Sequence, residues 1–287
     1  MAADAGAQIT ELTVDDHACL TFGEAEELFD LTAAFVRDGL GAGLKVIWLS
    51  DAPPGQAVTE LSRRGVEVAP ALDAGQMTAA GCEGRLLSGQ VFSADAAVGW
   101  LARQLAASRE LGFPGLRIAM DMGWALRPVT GVEQLPQFEE GVAAALAGAA
   151  ASVLCQYDRD RFDPVTLASV AAFHTRSVAT ASYHADAVLR ICRQYAPPGI
   201  RIAGEIDYQA EEPLSLALAE AVRLGGDVGQ HERAGLHRRV LRPDDRRYRA
   251  DAGRVPRRGP AVPARGRRRV RPARPRRPAR RQAAERP

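Results

Sequence analysis

The sequence predicts an α/β fold in which a mostly parallel sheet is covered by helices on both faces. Three observations carry this expectation. Short apolar runs alternate with longer amphipathic stretches from residue 17 to residue 158. The runs are apolar at successive positions, as strands buried on both faces require. The stretches between most of them are long enough for the helical crossover that returns a parallel strand to its sheet.

Taken in order, HACLTF (17–22) reads as a buried strand and EAEELFDLTAAFVRDGL (24–40) as a helix. That helix sets Leu28, Leu31, Phe35 and Leu40 on one stripe, and Gly39 to Gly43 stop it. KVIWLSD (45–51) is the next strand, broken by Pro53-Pro54 before a helix over 56–64. A short strand at 66–68 and a less regular stretch to Ser93 precede a helix over 94–111. LRIAMDM (116–122), a helix over 135–149 and SVLCQYD (152–158) continue the alternation, and DPVTLASVAAFH (163–174) is a further helix. After a junction to about Asp186, two extended segments flank Pro197-Pro198-Gly199 over 188–207, a hairpin signal. EEPLSLALAEAVRL (211–224) is a helix stopped by Gly225-Gly226, and Asp227-Val228 begins a strand that is never completed.

The composition changes at Gly229. Residues 229–287 carry 21 Arg, no Lys and five acids, a net +16, so with +2 overall residues 1–228 hold −14. A Pro-rich, basic segment with few aliphatic residues buries too little apolar surface to offset the entropy of ordering it, so 229–287 is expected to be disordered. As a nucleic-acid arm it lacks any aromatic after Tyr248 on which a base could stack, and the expectation is against nucleic-acid binding. A displaced reading frame is the favoured account. Synonymous codons for 229–251 exist that, read one nucleotide on, give VNMSGLAFIDVSCARMIADTAR, a string with strand and helix periodicity.

Residues 1–228 are acidic and rich in aliphatic residues, which fits the cytoplasm. No basic and apolar leader opens the chain and no apolar run approaches 18 residues, so neither export nor a membrane span is expected. Cys19, Cys82, Cys155 and Cys192 form no CxxC pair and no metal spacing, so neither a metal nor a cofactor is expected.

The unit from 17 to 51, with LRIAMD where a Walker B strand would stand, resembles the first βαβ unit of RecA/KaiC-like ATPases. A phosphate loop needs glycines for close amide approach, a Lys and a Ser or Thr. Phe22-Gly23-Glu24-Ala25-Glu26-Glu27 offers one Gly, no Lys and three carboxylates, which suit a helix N-terminus and repel a triphosphate. The loop is therefore a degenerate P-loop, its acids are expected as a solvated first turn, and no ATP hydrolysis or other catalysis is expected. A nucleotide-binding ATPase is the rival reading.

A narrower resemblance rests on DHACLTF, GEAEEL and AAFVRDGLGAGLKVIWLSD, then MDMGWAL (120–126), LCQYDRDRFDP (154–164) and His174. In that order these blocks resemble the MEDS domain, a sensory module found in methanogen and methylotroph proteins, over about 13–178. The resemblance implies a ligand-sensing domain for simple hydrocarbon derivatives, with no established reaction. His174-Thr175 stands where such domains often have His-Pro.

Open parallel sheets bind ligands beyond the carboxyl ends of their strands. A pocket for a small apolar or weakly polar ligand is therefore expected there, lined by Phe22, Asp121, Trp124, Tyr157 and Phe162, with Tyr157 supplying the polar contact. Asp121 is as well explained by hydrogen bonds to a neighbouring loop. His17 and Cys19 face the same way along their strand and join the candidates through the resemblance alone, at the opposite end of that strand.

Residues 191–228, around GIRIAGEID (199–207), resemble the start of a STAS domain, the anti-sigma-factor antagonist module. The displaced-frame string VNMSGLAFIDVSC continues that pattern and restores a Ser where the family carries its phosphorylatable residue. The expected organisation is a MEDS-like domain at 13–178, an incomplete STAS-like segment at 188–228 and the tail at 229–287. The partner implied for an intact relative is an anti-sigma factor with serine-kinase activity.

Overall fold

The computed structural model describes residues 7–206 and 210–223 of the 287-residue chain. The Arg-rich tail, the displaced frame and the end of the STAS-like segment lie outside them.

The first strand, β1 (His17–Phe22), leads into α1 (Ala25–Gly41), whose buried stripe runs through Leu28, Leu31 and Phe35. β2 (Lys45–Ser50) follows a turn in which Gly43 takes φ 73°, a left-handed conformation open to Gly without strain. The expected strand at 66–68 does not form. Gly65 ends α2 (Pro54–Arg63), and Val68 starts a short helix, α3 (Val68–Asp73), whose third residue is Pro70, where a missing N–H costs nothing. The strand comes later, as β3 (Met77–Gly81).

A small hairpin, β4 (Leu87–Ser88) and β5 (Val91–Phe92), was not foreseen and precedes α4 (Ala94–Glu110). Ser93 caps α4 by accepting a hydrogen bond from the Ala96 N–H. β6 (Leu116–Asp121), α5 (Leu135–Leu146), β7 (Ala151–Asp158) and α6 (Pro164–Ala171) then fall within a few residues of their expected places. Beyond them β8 (Arg176–Val178) adds a short edge strand.

The main sheet has six strands in the order β3-β2-β6-β7-β1-β8, every pairing parallel. β1 lies one strand in from the edge rather than at the centre, paired on both sides, with Cys19 opposite Cys155. Two cores flank the sheet. One gathers Cys19, Cys155 and Tyr157 with Trp100 and Leu101 of α4 and Phe138 and Val142 of α5. The other gathers Ala18, Leu20 and Phe22 with α1, α2 and α3.

The remaining described chain forms an antiparallel sheet of β9 (Ser182–Ala185), β10 (Leu189–Tyr195) and β11 (Pro198–Gly204), followed by α7 (Glu211–Arg223). The hairpin expected around Pro197-Pro198-Gly199 is the β10–β11 pair. It has a small core of its own, including Leu189, Ile191, Ile200 and Ala217, while Tyr195 and Ala196 insert into the core beneath α1. Among the described residues no helix is long and apolar enough to cross a membrane.

Candidate functional site

The structure divides the side chains expected to line a pocket beyond the strand ends between the two cores and a loop contact. Trp124 packs against Phe92 with ring centroids 4.5 Å apart, Tyr157 against Phe162 at 5.1 Å, and Trp124 and Tyr157 are fully buried. Side-chain alternation separates the remaining candidates. Phe22 has the opposite parity to His17 and Cys19 and faces the α1 core, across the sheet from Trp124, Tyr157 and Phe162. Asp121 accepts the Gly123 N–H at 2.9 Å and the Asp51 N–H at 3.2 Å, so it ties the strand end to the β2 loop. Two cavities among the described residues lie elsewhere. One of about 320 Å³ borders Ile47, Thr78 and Trp100, and one of about 120 Å³ borders Thr10, Arg37 and Tyr195.

The degenerate phosphate loop is filled by the protein's own side chains. Glu27, expected in solvent, is 2% exposed. Its carboxylate accepts the Gly23 N–H at 3.1 Å and the Thr180 hydroxyl at 2.8 Å, and pairs with Arg159 and Arg190, each at 3.1 Å. Burial raises its pKa, but these donors and cations outweigh burial and hold it below the ordinary value. Glu26 pairs with Arg64 and Glu24 with Arg201. A Cβ on Gly23 would stand 2.5 Å from the Arg159 guanidinium, which marks how closely that cation covers the loop.

The polar groups that converge lie instead between β1, β7 and α5. Glu139 is completely buried although it belongs to a helix surface, because it occupies the stripe of α5 defined by Leu135, Phe138, Val142 and Leu146. One of its oxygens accepts the Tyr157 hydroxyl. The other stands 3.1 Å from His17 Nε2, 3.5 Å from His174 Nε2 and 3.4 Å from Cys155 Sγ. Cys155 Sγ is 3.5 Å from His17 Nε2, and the two imidazole rings are 4.1 Å apart. His17 and Tyr157, assigned from sequence to opposite ends of the sheet, thus meet on one carboxylate.

His174 reaches the cluster because the chain after α6 is fastened to the start of β1. The Thr175 N–H donates to the His17 carbonyl at 2.7 Å, the Thr175 hydroxyl accepts the His17 N–H at 3.1 Å, and Arg176 pairs with Asp16 at 3.1 Å. A proline at 175 would lack both the N–H and the hydroxyl.

Burial alone would raise the Glu139 carboxyl, yet the hydrogen bonds that His17 and Tyr157 make to it hold it below the ordinary range, so it is an anion. Burial drives the His174 imidazole down to about 4 against the pull of Glu139, so that ring is neutral. Its Nδ1 lies 2.7 Å from the Val170 carbonyl, which can only accept. Nδ1 therefore carries the proton, and Nε2 turns a bare lone pair toward the Glu139 carboxylate. Burial and the Glu139 charge push the Cys19 thiol up to about 12 and Cys155 well above its ordinary value, so both are neutral thiols.

Of the residues in this cluster, sequence reasoning named His17 and Tyr157 and missed Glu139, Cys155 and His174. Glu139 left one signal, a carboxylate on the apolar stripe of an amphipathic helix.

The MEDS model, for the MEthanogen/methylotroph, DcmR Sensory domain, matches residues 16–175, a span that runs from the start of β1 to the loop bearing His174. No curated protein matches. Among solved structures, a KaiC-like protein from Pyrococcus horikoshii OT3 is similar over 66% of this chain and 85% of its own, with 9% identity and a TM-score of 0.47. An uncharacterized protein from Pyrococcus horikoshii, in complex with an unknown peptide, is similar over 69% and 91%, with 16% identity and a TM-score of 0.49.

Proposed function

The chain belongs to the MEDS family, and from that premise we propose that it is a signal-transduction protein that registers a small, weakly polar molecule at the buried His17–Glu139–Tyr157 cluster. The observation that carries this reading is the coincidence of the family match with the cluster. Residues 16–175 include every member, gathered from β1, α5, β7 and the loop after α6. An ionic group enclosed by apolar core costs stability where it is not fully satisfied, so its presence inside a sensory domain suits a recognition role. Its cover is thin: residues 171–172 and 175–177 are exposed, and displacing this segment would admit a ligand.

The output is the segment at 188–228, which we read as the start of a STAS module on the strength of GIRIAGEID (199–207). In an intact relative that module would engage an anti-sigma factor with serine-kinase activity, and phosphorylation of its Ser would add charge at the interface and release it. Two contacts support a link between sensor and output. Asp30 of α1 accepts the backbone N–H groups of Tyr195 and Ala196, and Glu27 holds Arg190 of β10. The function is binding and relay in the cytoplasm, without catalysis.

The test is a thermal-denaturation and tryptophan-fluorescence titration of the full chain with small chlorinated and oxygenated hydrocarbons, and with Mg²⁺-ATP. A hydrocarbon derivative is expected to raise the melting temperature, and Tyr157→Phe to weaken its binding by about 0.5–1.5 kcal/mol through one lost neutral hydrogen bond. His17→Ala should weaken it as well. A response to Mg²⁺-ATP alone would restore the nucleotide reading, and equal binding by both variants would place the ligand elsewhere.

A further inference from the structure

We propose that the buried cluster is a metal site in which His17, His174, Glu139 and Cys155 hold one divalent transition-metal ion, zinc being the best fit. One donor atom from each side chain lies within 4.8 Å of all the others. The separations decide the matter more sharply. In a tetrahedral centre with bonds of about 2.0–2.3 Å, neighbouring donors stand about 3.3–3.6 Å apart. Glu139 Oε2 lies 3.1, 3.4 and 3.5 Å from His17 Nε2, Cys155 Sγ and His174 Nε2, and His17 Nε2 lies 3.5 Å from Cys155 Sγ. Four edges of the tetrahedron are thus close to their bonded lengths before any ion is bound.

Without a cation the arrangement is poorly satisfied. The His174 Nε2 lone pair faces a carboxylate oxygen and has no hydrogen-bond partner, and neither has His17 Nδ1. The Val170 carbonyl fixes the His174 proton on Nδ1, the outer-shell device that orients a ligating imidazole. The Tyr157 hydroxyl does the same for the other carboxylate oxygen, leaving Oε2 to the ion. To ligate through Nε2, His17 gives up the proton that Nε2 shares with Glu139 in the empty cluster and takes one up on Nδ1, a change of tautomer with no change of charge. On binding, the Cys155 S–H bond breaks, the proton goes to solvent and the thiolate donates a pair to the ion. A dication against one carboxylate and one thiolate leaves the site neutral, as a fully buried position requires. With N, N, O and S donors, the set suits tetrahedral zinc over octahedral magnesium or calcium.

This inference stands on the geometry of the cluster and not on the identity of any organic ligand, so its test reads metal alone. The full chain, stripped with a chelator and reloaded with Co²⁺ as a spectroscopic probe, should show the intense ligand-field bands of a tetrahedral centre and a thiolate-to-cobalt charge-transfer band. It should retain one equivalent of Zn²⁺ through dialysis. Cys155→Ser should lose the charge-transfer band, and both it and His174→Gln should bind Zn²⁺ at least about 100-fold more weakly, since loss of an outer-shell partner alone costs about 10–100-fold. The spectrum of the unaltered chain decides the question even if a variant fails to fold. A weak octahedral Co²⁺ spectrum without a thiolate band, or Zn²⁺ retention equal in the native chain and a folded Cys155→Ser, would overturn the proposal.

Discussion

Asp30 offers a quantitative test of how the C-terminal segment is attached. Its carboxylate, 6% exposed on α1, accepts the Tyr195 N–H at 2.9 and 3.0 Å and the Ala196 N–H at 2.6 Å. Burial is the largest influence on it and outweighs those donors and the Arg201 and Arg64 cations, raising its pKa from 3.8 to about 6. The folded state therefore binds this proton more readily than the unfolded chain. The stability that proton contributes is complete below about pH 4 and is lost as pH rises through 6. From these two values, lowering the pH from 7 to 5 should stabilise the protein through Asp30 by about 1.3 kcal/mol. Asp30→Asn keeps an acceptor oxygen for the two N–H groups and has no proton to exchange. Urea denaturation of both proteins at pH 5 and pH 7 should therefore show the wild type gaining about 1–1.5 kcal/mol on the Asn variant at the lower pH. Asp30→Ala leaves both N–H groups unpaired, at about 1–3 kcal/mol each, offset by roughly 3 kcal/mol for the relieved burial of the charge, for a net loss of up to about 3 kcal/mol at pH 7. A difference between wild type and Asn that stays constant from pH 5 to 7 would refute the reasoning, as would an Asn variant less stable than the Ala variant at pH 7.

Two further outcomes are expected. Glu27→Ala strands Arg159 and Arg190, which are 34% and 24% exposed and so partly screened, and should cost about 2–4 kcal/mol at pH 7. Because the Glu27 pKa lies below its ordinary 4.5 in the folded state, the gap from Glu27→Gln should be full above that pH and close as pH falls through the lower folded value; a gap widening in acid would contradict the assignment. At the entrance to α5, Gly131 has φ 89°, and a Cβ there would stand 2.2 Å from the Phe92 carbonyl oxygen. Gly131→Ala should lower stability by more than about 2 kcal/mol by left-handed strain plus backbone contact, and a loss under about 0.5 kcal/mol in denaturant titration would show that the turn relaxes freely.

The sequence by itself determined the alternation of strands and helices, the hairpin at Pro198-Gly199, the degenerate phosphate loop and the family. All of these depend on residues near one another in the chain, where periodicity and turn chemistry act. The 66–68 strand misled because β-branched residues beside Gly65 look extended until the neighbouring contacts of Val68 and Pro70 favour a helical turn. Parity along β1 also assigned His17 and Cys19 to one face and Phe22 to the other, information that the proposed pocket did not use. Only tertiary structure decided the site. Periodicity says which face a side chain takes but not which strand lies beside it. The sheet order placed β7 against β1, setting Cys19 opposite Cys155 across more than a hundred residues. The α5 stripe then lowered Glu139 onto that pair of strands, and Thr175 drew His174 in from beyond α6. A carboxylate that would be solvated on an isolated helix became the centre of a buried polar cluster, because packing, not spacing, brought its partners within 3.5 Å.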